Sequence, residues 1–143
     1  MSIRVLVAGL LFPTLAAAQA ASPASAAAPA PRPEIYLRAP ANGATVSPTF
    51  TVAFGLRNFG VAPAGMNVSS TGHFHLLINV EPPAAGTVIP TDSLHRHFGT
   101  GAIETTITLA PGSYSLRAVL GDFEHKVISR DLISAPVRIT VRP

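Results

Sequence analysis

The 143-residue chain holds five histidines, and all five fall in three short stretches. His73 and His75 stand in GHFHLLIN, His95 and His97 in HRHFG, and His125 in LGDFEHK. Neutral imidazole is a common ligand for zinc, copper and nickel, and a site needs several rings within one coordination sphere. On a β-strand an H-x-H pair sends both rings to the same face, with Cα atoms about 6.6 Å apart. Two such pairs supply four nitrogens, and the segment after Leu120 brings a fifth. The candidate metal ligands are therefore His73, His75, His95, His97 and His125. Copper is the expected ion, because nitrogen-donor sites follow the Irving–Williams order, and zinc is the alternative. Asp92, Asp122 and Glu124 lie nearby in sequence, where a carboxylate could orient a ring N–H. Met66 offers a thioether, although a lone Met more often fills a gap in a core.

The same residues have a plainer reading. Paired histidines on a sheet can be solvated surface, or a polar, pH-sensitive contact. The chain would then be a binding or structural immunoglobulin-like module for a cell-envelope component, a protein partner or a small anion. Catalysis finds little support: there is no G-x-S-x-G elbow and no H-E-x-x-H, and Ser113 in PGSYS lies in a turn. Copper–zinc superoxide dismutases also carry an H-x-H on a β-sandwich, but they use a disulfide, and this chain has no Cys. The same lack removes thiolate metal sites, including the blue-copper type. Mono-oxygenases with a histidine brace need His at the mature N-terminus, where Ala21 is expected. The formal charge is +3, with the basic residues scattered and Lys126 the single lysine, so nucleic acid is not an expected partner.

The elements that must hold these rings are strands. Phe50, Val52, Phe54 and Leu56 alternate with small or polar residues, as do Ile103, Thr105, Ile107 and Leu109. Tyr114, Leu116, Ala118 and Leu120 form another row, Val137, Ile139 and Val141 a last one, and Ile35 to Leu37 a short first strand. In the central strand, Phe74, Leu76, Ile78 and Val80 are expected in the core, leaving His73 at least partly accessible on the other face. Turns such as Ala41-Asn42-Gly43 and Pro111-Gly112 punctuate the rows, and no window has a helical stripe. The expected fold is all-β, an immunoglobulin-like antiparallel β-sandwich of about seven strands. Tyr114, at a strand start after Pro-Gly, resembles a tyrosine corner; the plainer reading is an ordinary half-buried tyrosine. Two longer segments, residues 58–71 and 81–101, read as irregular loops flanking the His73–His75 pair, and long loops are often functional.

The N-terminus reads as an export signal. Residues 1–20 combine a short basic start, an apolar run too short to span a bilayer, and Ala18-Gln19-Ala20 as a cleavage site. Residues 21–33, ASPASAAAPAPRP, are nearly all Ala, Pro and Ser and read as a disordered linker. Residues 34–143 are then a single domain in the periplasm or outside the cell, with no membrane span in the mature form.

The segments FGLRNFGVAPAG, GHFHLLIN, HFGTGAIETTITLAPGSYSL and LGDFEH resemble, in that order, a secreted bacterial family known as domain of unknown function 4399. The matching positions include His73, His75, His97, His125, Gly121 and Asp122. Many relatives place a third histidine where this chain has Phe74. The resemblance implies a single β-rich domain behind a signal peptide and implies no activity, so function must be argued from the site.

Overall fold

The period-two rows become strands that close over one core. The computed structural model describes residues 30–143. The expected signal peptide, residues 1–20, and most of the expected linker, residues 21–33, lie outside the described residues. The strands are β1 (Glu34–Ala39), β2 (Ala44–Val46), β3 (Thr49–Arg57), β4 (Gly60–Val61), β5 (Thr71–Ile78), β6 (His95–Phe98), β7 (Glu104–Thr108), β8 (Gly112–Gly121) and β9 (Val137–Val141). The one helical element among the described residues is a 3-10 turn, Arg130–Leu132.

β1, β3 and β7 form a three-stranded sheet, and β2, β9, β8, β5 and β4 run in that order through a six-stranded sheet that β6 completes by pairing with β5. This is an immunoglobulin-like β-sandwich. The core lies between the sheets, where Phe50, Val52, Phe54 and Ile107 of one face meet Phe74, Leu76, Ile78, Leu116, Ala118, Leu120 and Ile139 of the other. Phe54 stacks on Phe74 with ring centroids 4.5 Å apart and planes 9° from parallel. The corner reading of Tyr114 holds, since its hydroxyl donates to the Ala110 carbonyl at 2.9 Å and ties the start of β8 to the preceding turn.

Three details differ from the expectation. There are nine strands rather than about seven, the additional ones short, and two pairings, β2 with β9 and β4 with β5, are parallel. Residues 81–101 are not irregular throughout, because HRHF forms β6. Those four residues carry no apolar alternation, and the strand exists because β5 offers it an unpaired edge. Val80 leaves the Phe74 row: Asn79 adopts φ 58°, which ends the strand, and Val80 packs on the opposite side of the sheet with Leu77.

Candidate metal centre

β5 lies inside the sheet and is buried on both faces. Its inner row is Phe74, Leu76 and Ile78, so His73, His75 and Leu77 share the outer face. Register then decides the neighbours of each ring. On one side His73 pairs with Gly121 and His75 with Val119 of β8. On the other, His75 pairs with His97 and Leu77 with His95 of β6. The two H-x-H units thus lie on adjacent strands and face the same way.

That outer face is covered. After β8 the chain returns beside it, Val127 bridging to Gly121 and Ile133 to Val119. Residues 86–89 pair with this returning segment through Val127 N–H to Thr87 O (3.0 Å), Gly86 N–H to Val127 O (2.8 Å) and Ile89 N–H to His125 O (2.8 Å). Leu77, Ile89, Val119 and Val127 form a second, smaller apolar cluster beside the rings. As a result His73 is only 1% exposed and His75 0%. The expectation that His73 is partly accessible is therefore corrected: alternation places it opposite the core row, but the returning segments bury that face too.

His125 arrives from a tight turn. Asp122 Oδ1 accepts from the backbone N–H groups of Glu124 (2.9 Å) and Lys126 (2.8 Å). Within this loop His125 takes a left-handed φ of 65°, uncommon for a side chain larger than Gly and a recurrent feature of functional sites. Asp122 thus positions His125 through the backbone. Glu124 pairs with Lys126 Nζ at 2.8 Å. Neither carboxylate makes the ring N–H bond expected of it.

Four rings converge. Ring centroids of His73 lie 4.9 Å from each of His75, His97 and His125. His97 lies 4.8 Å from His125 and 5.0 Å from His75, while His75 to His125 is longer at 5.9 Å. One nitrogen from each of His73, His97 and His125 lies within 4.8 Å of the others, a geometry able to hold a metal ion. His75 Nε2 is hydrogen-bonded to His73 Nε2 at 3.0 Å, and His75 Nδ1 is buried without a partner. His95 is held apart from this group. Its Nδ1 lies 2.9 Å from Asp92 Oδ1, which also accepts from the backbone N–H groups of Leu94 and His95 and so caps the start of β6. Met66 is 54% exposed in the loop before β5 and fills no core gap.

Residues 52–142, nearly two thirds of the chain, match the family described as "Domain of unknown function (DUF4399)". The chain belongs to this family. No curated protein and no solved structure matches it.

In this DUF4399 domain two glycines make room for the rings, and neither is evident from ligand type or spacing. A Cβ on Gly121 would stand 2.8 Å from His75 Nε2, and one on Gly99 would overlap His97 Cε1. The available signal for Gly99 is its place two residues after His97, in HFG. The two positions should respond differently to Ala. His97 is exposed, so in Gly99→Ala its ring can swing aside. We expect that variant to keep its unfolding free energy within about 0.5 kcal/mol of wild type while losing at least tenfold in affinity for added copper, read by chelator competition. Unchanged affinity would show that the ring's seat on Gly99 is immaterial.

Burial sets the charge state. The His73 ring is pushed down to about 4, first by desolvation and then by the nearby His97 and His125, with Asp122 opposing. His75 falls to about 3, again by desolvation ahead of its imidazole neighbours. His97 is lowered by the same two causes. At neutral pH His73, His75 and His97 are therefore neutral rings, the form that ligates metals.

Proposed function

We propose that this DUF4399 domain is an exported, non-catalytic metal-binding protein that holds one transition-metal ion through His73, His97 and His125, in metal binding, buffering or delivery. Copper is the preferred ion and zinc the alternative. The observation that carries the reading is the convergence of three ring nitrogens within 4.8 Å from β5, β6 and the turn after β8. Residues far apart in sequence meet there, with His73 and His97 held neutral by burial. His75, hydrogen-bonded to His73, is the natural fourth ligand. His95, engaged with Asp92, stands beside the site. Export rests on the sequence of residues 1–20. Among the described residues no helix is long and apolar enough to cross a membrane.

The test is a thermal melt of tag-free protein with and without Cu(II) or Zn(II) at pH 7.5, with bound metal counted by elemental analysis. Binding to the folded state alone stabilises it by roughly 2.7 kcal/mol at a free metal concentration one hundred times the dissociation constant. We expect one equivalent of copper and a raised midpoint, both lost in a His97→Ala, His125→Ala double variant. Those two rings are the less buried members of the triad, so the variant should fold. If neither metal raises the midpoint and no copper is bound in either oxidation state, or the double variant gains as much, the metal reading fails. The competing reading, a binding or structural module for a cell-envelope component or protein, then takes over. It draws on a groove where Arg117 and Arg130 meet the apolar walls of Pro82, Pro83 and Ile133.

A further inference from the structure

We propose that the histidine centre selects a monovalent d10 cation, Cu(I) or its redox-inert analogue Ag(I), over Cu(II) and Zn(II). The inference rests on the metal-binding reading and adds the charge of the ion to it.

Imidazole by itself suits copper and zinc alike and does not choose the oxidation state. The surroundings do. Every donor that converges is an imidazole nitrogen: among the described residues the converging group is His73, His97 and His125, with no Asp or Glu oxygen in it. The carboxylates of the surrounding segments put no oxygen into that group, although Asp122 acts on His73 across space. Asp122 Oδ1 accepts from two backbone amides of its turn. Asp92 Oδ1 holds Leu94 N–H and His95. Glu124 faces Lys126 Nζ at 2.8 Å. An ion seated on His73 therefore has no anionic ligand, and beyond the through-space pull of Asp122 it brings its charge against two rings that are 1% and 0% exposed. The cost of taking a charge out of water rises with the square of that charge, and it is large unless an opposite charge sits beside it. A divalent ion would need an added anion to compensate. His75 stands in the way of one, its Nε2 only 3.0 Å from His73 Nε2. That separation is close to the spacing of about 3.3 Å between neighbouring donors when each metal–nitrogen bond is about 2.0 to 2.1 Å. A fourth imidazole would then occupy the position an anion would take.

The measurement is the reduction potential of copper bound to tag-free protein, by spectroelectrochemistry at pH 7.5 in chloride-free buffer, with copper in excess imidazole as the reference. We expect the ratio of Cu(I) to Cu(II) affinity to exceed that of the reference by at least 100-fold, which for a one-electron couple is an upward displacement of about 120 mV. A His97→Asp variant, made at an exposed position, supplies the missing negative charge and should lower that ratio at least tenfold. A potential at or below the reference, with copper bound in one equivalent, overturns the selectivity and leaves the metal site standing. An unchanged potential in His97→Asp overturns the charge argument. Failure to bind copper in either oxidation state overturns the underlying metal reading and this inference with it.

Discussion

Replacing Phe74 by Ala is expected to destabilise the metal-free domain by about 3 to 5 kcal/mol, the cost typical of deleting a buried aromatic ring and leaving a cavity. Phe74 is 0% exposed and stacks on Phe54 at 4.5 Å, so the loss includes an aromatic pair as well as apolar area. It sits on β5, which β8 flanks on one edge and β6 on the other, so repacking around the void would disturb neighbours on both sides. Since domains are typically stable by about 5 to 15 kcal/mol, this one substitution would remove a large share. Denaturant unfolding of Phe74→Ala beside Phe123→Ala makes the comparison. Phe123 is 38% exposed, and its loss should stay within about 0.5 kcal/mol. A cost below about 1 kcal/mol for Phe74→Ala would mean that β5 does not face the core as described. The same strand carries His73 and His75 on its other side, so the stack also underlies the site.

Acid should unfold the metal-free protein earlier than its carboxylates alone would dictate. His73 and His75 are held neutral down to about 4 and about 3, whereas in the unfolded chain a histidine titrates near 6.5. Above pH 6.5 neither state binds these protons and stability is unaffected. Between pH 6.5 and 4 the unfolded chain binds protons that the native rings refuse, so stability falls with pH by about 1.4 kcal/mol per pH unit for each withheld proton. With two rings the loss by pH 4 is on the order of several kcal/mol. Urea midpoints at pH 7.5, 5.5 and 4.5, with direct titration of the proton uptake on unfolding at pH 5, measure it. About two protons should be taken up beyond the carboxylate contribution, and a His73→Asn variant should take up one fewer. A midpoint that does not move between pH 7.5 and 4.5 would show that the rings are not buried in neutral form. For bound metal the consequence runs the other way: protons compete for the two buried rings only near pH 4, well below the pH at which a free histidine loses its metal.

The strand rows of Phe50 to Leu56, Phe74 to Ile78 and Tyr114 to Leu120 were legible from the sequence because period two is a local property, visible without knowing any partner. So was the corner at Tyr114, which bonds only four residues back. The two H-x-H pairs and His125 likewise announced themselves by residue type and by clustering in a chain with few titratable groups. What the outer face of β5 would meet was not legible. Alternation says which side chains share a face; it cannot say that residues 86–89 and the segment after β8 will cover it, since their bonds join positions some 40 residues apart in the chain, as Ile89 does with His125 across an actual separation of 36. Burial of His73 and His75, and hence their neutral state, followed from that cover. The division among the five histidines was equally tertiary. The register of β6 on β5 sets His97 across from His75, Asp92 draws His95 aside, and a left-handed turn carries His125 inward. Composition and spacing determined which groups could bind a metal; long-range pairing and one turn's dihedral angle decided which of them meet, because coordination depends on distances of a few ångströms that no linear pattern encodes.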